Sequence, residues 1–169
     1  MFIYQPTITK KMQVVLENIE KELGVVPLHF KFLLSINPKK FQLFIEEIKY
    51  LLNHPTINHD FFAMLRLHIA NRENFIYCKS FNTKLLLAKG YSRDILKELK
   101  EDIGKIPLDA KHKLLAQKAI KAMYEPKEFK LCDIKELKKL SWNDSDIYDA
   151  IDHASFLFKN AKIIQSYSI

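Results

Sequence analysis

Apolar residues recur along almost the whole chain at intervals of three and four positions, the spacing of helices that bury one face. The clearest stripe lies near the end of the sequence, where apolar residues follow this spacing from Ile147 to Ile164. No segment alternates apolar and polar residues for long enough to predict a strand. The pattern therefore predicts an all-α protein.

Capping residues, glycines and prolines divide this pattern into helices. Asn, Ser and Asp precede several apolar stripes, and Gly or Pro follows several of them, as at Gly24 and Pro126. Asn37-Pro38 is a capping residue followed by a proline at the first helical position. The predicted helices lie near residues 9–23, 27–34, 38–52, 58–72, 74–90, 92–99, 107–123, 132–140 and 143–164.

One three-residue pattern occurs twice, 51 positions apart: Gly90-Tyr91-Ser92 and Ser141-Trp142-Asn143. Each combines a helix end, an aromatic residue and an N-cap. The repeat predicts two helix-pair units in tandem. We expect one domain over residues 1–169, with N-terminal helices in 1–57, a central motif in 58–92 and a second helical unit in 93–169.

The central motif is predicted to be a helix, a tight corner at 72–74 and a second helix, with Asn58 and Asn74 as the two N-caps. Cys78 then falls in the first turn or so of the second helix. The helix N-terminus and the nearby Lys79 and Arg72 predict a thiol pKa below that of free cysteine. Burial of the sulfur has the opposite and larger effect, since it raises a thiol pKa. Cys78 is thus either a nucleophile or a small core residue.

Composition and charge narrow the class of protein. The 169 residues are 48% hydrophobic with only 3 Gly, which is typical of a globular helical chain. The net charge is +7, but only three of the 27 basic residues are arginine, so we expect solvated lysine faces and no nucleic-acid partner. No apolar run reaches membrane-spanning length, and we expect no signal peptide, because no long apolar run precedes Lys10 and Lys11. Two distant cysteines do not form a disulfide framework, which predicts a cytoplasmic location.

Few other residues are candidates for a catalytic or metal-binding role. The six histidines show no spacing suited to a helical metal site, and we expect neither a metal nor a cofactor. His68 precedes the corner and is a candidate base for Cys78, or else a buried or surface residue. Asn82, one helical turn after Cys78, is a candidate hydrogen-bond donor to the thiolate. Cys132 is predicted to be a small buried residue.

The stretch from Asn74 to Cys78, followed by Asn82 and by residues 89–92, resembles the core motif of the alkylhydroperoxidase D-like (AhpD-like), or carboxymuconolactone decarboxylase, family. Cys78 matches the second cysteine of the motif in the peroxidase branch, which is thought to meet the peroxide. Tyr77 matches its common aromatic residue. Residues 24–27, 37–38 and 159–163 are also similar to stretches of the family, so the resemblance covers nearly the whole chain.

The chain departs from the family motif at three positions. Phe75 stands at the position of the first, resolving cysteine, Asn82 at that of the histidine, and Ala63 at that of the glutamate. The resemblance implies an AhpD-like helical domain and a homo-oligomer, from dimer to hexamer. It also implies thiol peroxidase chemistry on a small hydroperoxide, with Cys78 and Tyr77 at motif positions. His68 and Asn82 complete the set of candidate catalytic residues by their positions near Cys78 in the sequence. With no resolving cysteine, an external thiol reductant would be needed.

Two alternatives to peroxidase activity stay open. The three departures favour a non-catalytic binding or assembly protein on the same scaffold. A lactone decarboxylase is the third and least favoured alternative, because the histidine expected at Asn82 is missing. A sulfur sealed beneath aromatic side chains would favour the non-catalytic alternative.

Overall fold

A computed structural model of the chain describes residues 7–23 and 26–167. These residues form nine α-helices and one short 3₁₀ turn, and no strand occurs among them. The all-α prediction is therefore confirmed. The helices are α1 (Lys10–Leu23), α2 (Leu28–Ile36), α3 (Pro38–Leu52), α4 (His59–Arg72), α5 (Ile76–Ala88), α6 (Arg93–Glu101), α7 (Ala110–Tyr124), α8 (Leu131–Lys139) and α9 (Asp144–Ser166), and the 3₁₀ turn is Ile103–Lys105.

The chain divides into two compact units. The first contains the described residues up to Asn53 together with those from Ile163 to Tyr167, and the second is His54–Lys162. The core of the first unit comes from α1, α2 and α3 and consists of five buried side chains, Leu16, Ile19, Phe30, Leu34 and Phe41. The second unit contains α4 to α8 and most of α9, including the whole 58–92 motif.

Helix α4 lies at the centre of the second unit, where it packs chiefly against α5 and α6. Ten of its 14 residues are buried, because the helix is apolar around most of its circumference. The stripe predicted from the sequence, which includes Phe61, Leu65 and Ile69, is fully buried. The one charged side chain in the middle of α4 is Arg66, which is half-buried.

The corner between α4 and α5 differs from the prediction. Asn74 does not cap α5; the N-cap position is Phe75, which makes no side-chain capping bond. Asn74 instead adopts a left-handed backbone conformation, with φ of 53°, and the following Phe75 N–H donates to the Ala70 carbonyl at 2.9 Å. Asn74 therefore ends α4 rather than beginning α5, a role for which asparagine is well suited because it tolerates positive φ.

The repeated pattern at 90–92 and 141–143 is confirmed as a repeated helix end. Gly90 and Ser141 both have positive φ, 93° and 64°. In each case the next residue donates its N–H to a carbonyl five residues back, from Tyr91 to Leu86 at 3.2 Å and from Trp142 to Leu137 at 3.3 Å. The helix that follows is then capped, by Ser92 in one case and by Asn143 in the other.

Most predicted helix starts are also confirmed. The side chains of Asn37, Asn58 and Asp109 accept backbone N–H bonds at the starts of α3, α4 and α7. Gly24, predicted to end the first helix, lies outside the described residues. None of the described helices is both long and apolar enough to cross a membrane.

Candidate active site around Cys78

Three helices bring polar side chains together next to Cys78. Helix α4 contributes Arg66, α5 contributes Cys78 and Asn82, and α9 contributes His153. Cys78 and Asn82 are one helical turn apart on α5, so they share a face. Cys78, Asn82 and His153 are all buried, and Arg66 is half-buried.

Hydrogen bonds of Arg66 join this cluster. Its Nε donates to Asn82 Oδ1 at 3.0 Å, and its Nη1 donates to His153 Nε2 at 2.7 Å. Asn82 Nδ2 in turn donates to the Cys78 carbonyl at 2.8 Å. The Asn82 amide therefore links the guanidinium to the backbone of Cys78. It does not donate this bond to the sulfur, as the sequence had suggested.

Cys78 is the third residue of α5 and is only 7% exposed. Burial raises its thiol pKa from 9.0 to about 11, although the positive charge of Arg66 and a backbone hydrogen bond act in the opposite direction. The prediction of a lowered pKa is wrong because desolvation outweighs the charge and the helix N-terminus. Most of the molecules therefore carry a neutral thiol near neutral pH.

Arg66 has an unusual environment for a partly buried cation. Burial lowers its pKa to about 10, and the only titratable group that counters this is Cys78. Among the residues that the structure describes, no carboxylate forms an ion pair with Arg66. The thiolate of Cys78 is thus the one negative charge that this chain itself can offer to the guanidinium within the described part.

The His153 side chain is neutral, because it is buried, with only 1% of its surface exposed, and lies next to the positive charge of Arg66. Arginine cannot accept a hydrogen bond, so His153 Nε2 must be the acceptor and the ring proton must lie on Nδ1. Burial and the Arg66 charge lower its pKa well below 6.5. Its ring contacts Phe62 edge-on, with centroids 5.0 Å apart, and stacks on Phe156 at 5.3 Å.

His68 forms its hydrogen bond with helix α6 and not with the Cys78 cluster. His68 is buried, and its Nδ1 bonds to the Leu99 carbonyl of α6 at 3.0 Å. Burial lowers the pKa of His68. No hydrogen bond within the described residues joins it to the Cys78 cluster. Tyr77 is half-buried, and its ring stacks on that of Phe81 at 6.5 Å.

The three positions that depart from the family motif are all buried. Phe75 is 2% exposed, and its ring packs against Phe158 of α9 with centroids 5.8 Å apart. Ala63 is 3% exposed on α4, one helical turn before Arg66. Arg66 and His153 were not predicted from the sequence to be site residues. The available signal was a single basic residue inside an otherwise apolar helix, and a histidine inside the apolar stripe of α9.

Cys132 lies near the start of α8 and is exposed, so its prediction as a buried residue is wrong. Neither it nor Cys78 forms a disulfide. The second unit also contains a surface pocket of about 440 Å³, which is lined by Glu73, Met123, Tyr124, Ser155 and Phe158. Within the described ranges, no cluster of three or more His, Cys, Asp or Glu side chains is arranged to hold a metal ion.

The central α4–α5 corner, the repeated helix pairs and the cysteine at the start of α5 define a protein with the AhpD-type all-α fold. Two solved structures establish this fold. An uncharacterized peroxidase-related protein from Silicibacter sp. TM1040 superposes with a TM-score of 0.82 at 19% identity, over 98% of this chain and 86% of that one. An uncharacterized peroxidase-related protein with an alkylhydroperoxidase AhpD core, from Ralstonia eutropha JMP134, superposes with a TM-score of 0.81 at 14% identity. The match covers 98% of this chain and 89% of that one.

The likeness lies in the fold and not in close sequence similarity. No protein family matches the sequence as a whole, and no curated protein matches it. The AhpD-like helical fold that the resemblance implied is confirmed.

Proposed function

We propose that the protein is a single-cysteine, thiol-dependent hydroperoxide reductase in which Cys78 attacks the peroxide. The observation that carries this proposal is the Arg66 guanidinium, which Asn82 links to Cys78 through hydrogen bonds of 3.0 and 2.8 Å. Arg66 has no carboxylate partner in the described part of the chain. A thiolate formed at Cys78 pairs with that charge, and the N–H groups of Arg66 stabilise the oxygen that leaves. The AhpD-type fold, shared with peroxidase-related proteins, supports the same chemistry.

The reaction proceeds in two stages. The Cys78 thiolate attacks the terminal oxygen of the hydroperoxide, so that an S–O bond forms and the O–O bond breaks. The alkoxide takes a proton from water and leaves as an alcohol. Cys78 is then a sulfenic acid. One external thiol converts it to a mixed disulfide and releases water, and a second external thiol restores Cys78 as a thiol while both external thiols leave as a disulfide. An external reductant is required because Phe75 occupies the position of a resolving cysteine.

The raised pKa of Cys78 limits the rate of this reaction. With a pKa of about 11, only roughly one molecule in 10⁴ is a thiolate at neutral pH. We therefore expect slow turnover that increases about tenfold for each unit of pH up to the thiol pKa. In this proposal Asn82 and His153 position Arg66 and do not transfer protons.

The test is a stoichiometric titration of the reduced protein with cumene hydroperoxide, followed by mass spectrometry of the peptides that contain each cysteine. We expect the wild type to form a sulfenic acid at Cys78, trapped with dimedone. Cys132→Ser is the matched control and should react like the wild type. Cys78→Ser should consume no stoichiometric peroxide at this site. If Cys78 of the folded wild type remains a thiol under excess hydroperoxide, the proposal is wrong.

A second candidate is a non-catalytic binding or assembly protein on the same fold. The observation that favours it is the burial of Cys78 at 7% exposure, next to a Phe75 side chain that fills part of the core. In that case Cys78 resists both peroxide and small alkylating reagents until the protein unfolds. The peroxide titration separates the two candidates directly.

We also propose that the protein is a cytoplasmic homo-oligomer. Several large apolar side chains of the second unit are exposed, among them Ile76 at 71% and Tyr148 at 66%. Contact between copies would remove such surface from water. Light scattering coupled to size-exclusion chromatography tests this, and a monomer at micromolar concentration would contradict it.

A further inference from the structure

The hydrogen-bonding capacity of Arg66 is only partly used. A guanidinium has five N–H donors, and two of them reach Asn82 and His153. The other three have no partner among the described residues. Both acceptors are uncharged, since Asn82 offers an amide oxygen and His153 a neutral ring nitrogen. The positive charge of Arg66 is therefore oriented but not neutralised.

A charge in this setting favours an anion from solution. Removing a cation from water is costly unless an opposite charge or several strong hydrogen bonds replace its hydration. Arg66 is half-buried, and none of its nitrogens is among the fully enclosed side-chain atoms that lack a partner in the described residues, so the unpaired part of the guanidinium is open to solvent. The planar donor edge suits an ion that accepts two parallel hydrogen bonds.

We propose that Arg66 binds a small planar monovalent anion, such as nitrate or formate, and that this anion competes with the Cys78 thiolate for the same guanidinium. The inference uses the same cluster as the proposed function, but it does not depend on peroxide chemistry. With the anion bound, the charge that assists ionisation of Cys78 is already compensated. By reciprocity, ionisation of Cys78 weakens anion binding by the same factor.

The prediction is tested by alkylation of the full chain with iodoacetamide at fixed alkaline pH. Sodium nitrate replaces sodium gluconate at constant ionic strength, so that only the identity of the anion changes. Mass spectrometry gives the initial rates at Cys78 and, in the same tube, at the exposed Cys132. We expect nitrate to slow Cys78 roughly five-fold with a saturating dependence on its concentration, and to leave Cys132 unchanged. No change at Cys78, or a parallel change at both cysteines, would overturn the proposal.

Two variants locate the site. Arg66→Gln should alkylate more slowly at Cys78 than the wild type in gluconate and should lose the response to nitrate. Arg93→Gln, at the exposed first residue of α6, is the matched control and should respond to nitrate like the wild type. If Arg66→Gln keeps the full nitrate response, the anion does not bind at Arg66. If that variant does not fold, the wild-type titration still tests the proposal, because an absence of selective slowing at Cys78 overturns it.

These outcomes are independent of the peroxide titration. A nitrate response without sulfenic acid formation would support the anion site and refute peroxidase chemistry. Sulfenic acid formation without a nitrate response would support peroxidase chemistry and refute the anion site.

Discussion

The buried thiol makes a quantitative prediction for Cys78→Ala. The folded protein holds the Cys78 proton with a pKa of about 11, whereas the unfolded chain releases it near 9.0. A group with a raised folded pKa contributes stability that is fully present below the unfolded pKa and is lost as the pH rises through the folded pKa. Between these values the folded state binds more protons, so the free energy of unfolding falls as the pH increases.

The size of this loss follows from the two pKa values. A pH of about 10 lies one unit above the Cys78 pKa of the unfolded chain and one unit below that of the folded protein. At this pH, ionisation of the thiol favours the unfolded state over the folded state by a factor of about ten. This corresponds to about 1.4 kcal/mol of lost stability. Removing the thiol eliminates this pH-dependent term, while the small cavity left by alanine costs the same free energy at every pH.

The assay is urea unfolding followed by circular dichroism, at about pH 8 and about pH 10 and at constant ionic strength. We expect the wild type to lose about 1.4 kcal/mol more than Cys78→Ala over this interval. Cys132→Ala is the control for removal of a thiol and should lose as much as the wild type. Equal losses in the wild type and Cys78→Ala would show that Cys78 is not held as a neutral thiol by burial, and the reasoning would be refuted.

Three further substitutions test other parts of the structure. His68→Phe should lower stability by about 1–3 kcal/mol in urea unfolding, because it leaves the buried Leu99 carbonyl without its partner. Ser141→Gly should raise the free energy of unfolding by about 0.5–1 kcal/mol, because glycine adopts positive φ without strain, whereas Ser145→Gly inside α9 should lower it. Asp133, whose pKa its lysine partners hold well below 3.8, should stabilise the fold above that pH and lose this effect below it. In Asp133→Asn the acid-dependent loss measured by circular dichroism should be smaller, and stability at neutral pH should be about 1–3 kcal/mol lower.

The sequence predicted the helices well because each has a local signal. Asn58 and Ser92 cap their helices through their own side chains, and the apolar stripe of α9 follows the helical period closely. Asn74 was misassigned because asparagine suits both a helix start and a left-handed helix end. The choice between them depended on the Phe75 N–H, which bonds back to the preceding helix.

The candidate site was less predictable, because one of its three helices, α9, is far in sequence from the consecutive helices α4 and α5. Cys78 and Asn82 lie on one helix, and their pairing follows from the spacing alone. Arg66 and His153 are 87 residues apart, and only tertiary packing brings them within 2.7 Å. The pKa of Cys78 depends on its burial, which no local pattern fixes. The start of a helix can be predicted from the local sequence, but the burial of a sulfur atom cannot.

Three helices of the second unit are terminated by a residue with positive φ, namely Asn74, Gly90 and Ser141, and this affects how the unit folds. Each one reverses the chain through bonds that span only five residues, so each turn can form before distant parts of the chain meet. Helix α4 packs chiefly against the next two helices, and such near-neighbour contacts require little loop closure. We therefore expect the second unit to fold rapidly, in the range typical of helical domains. Substitutions at the three turns should then change the folding rate as well as the stability.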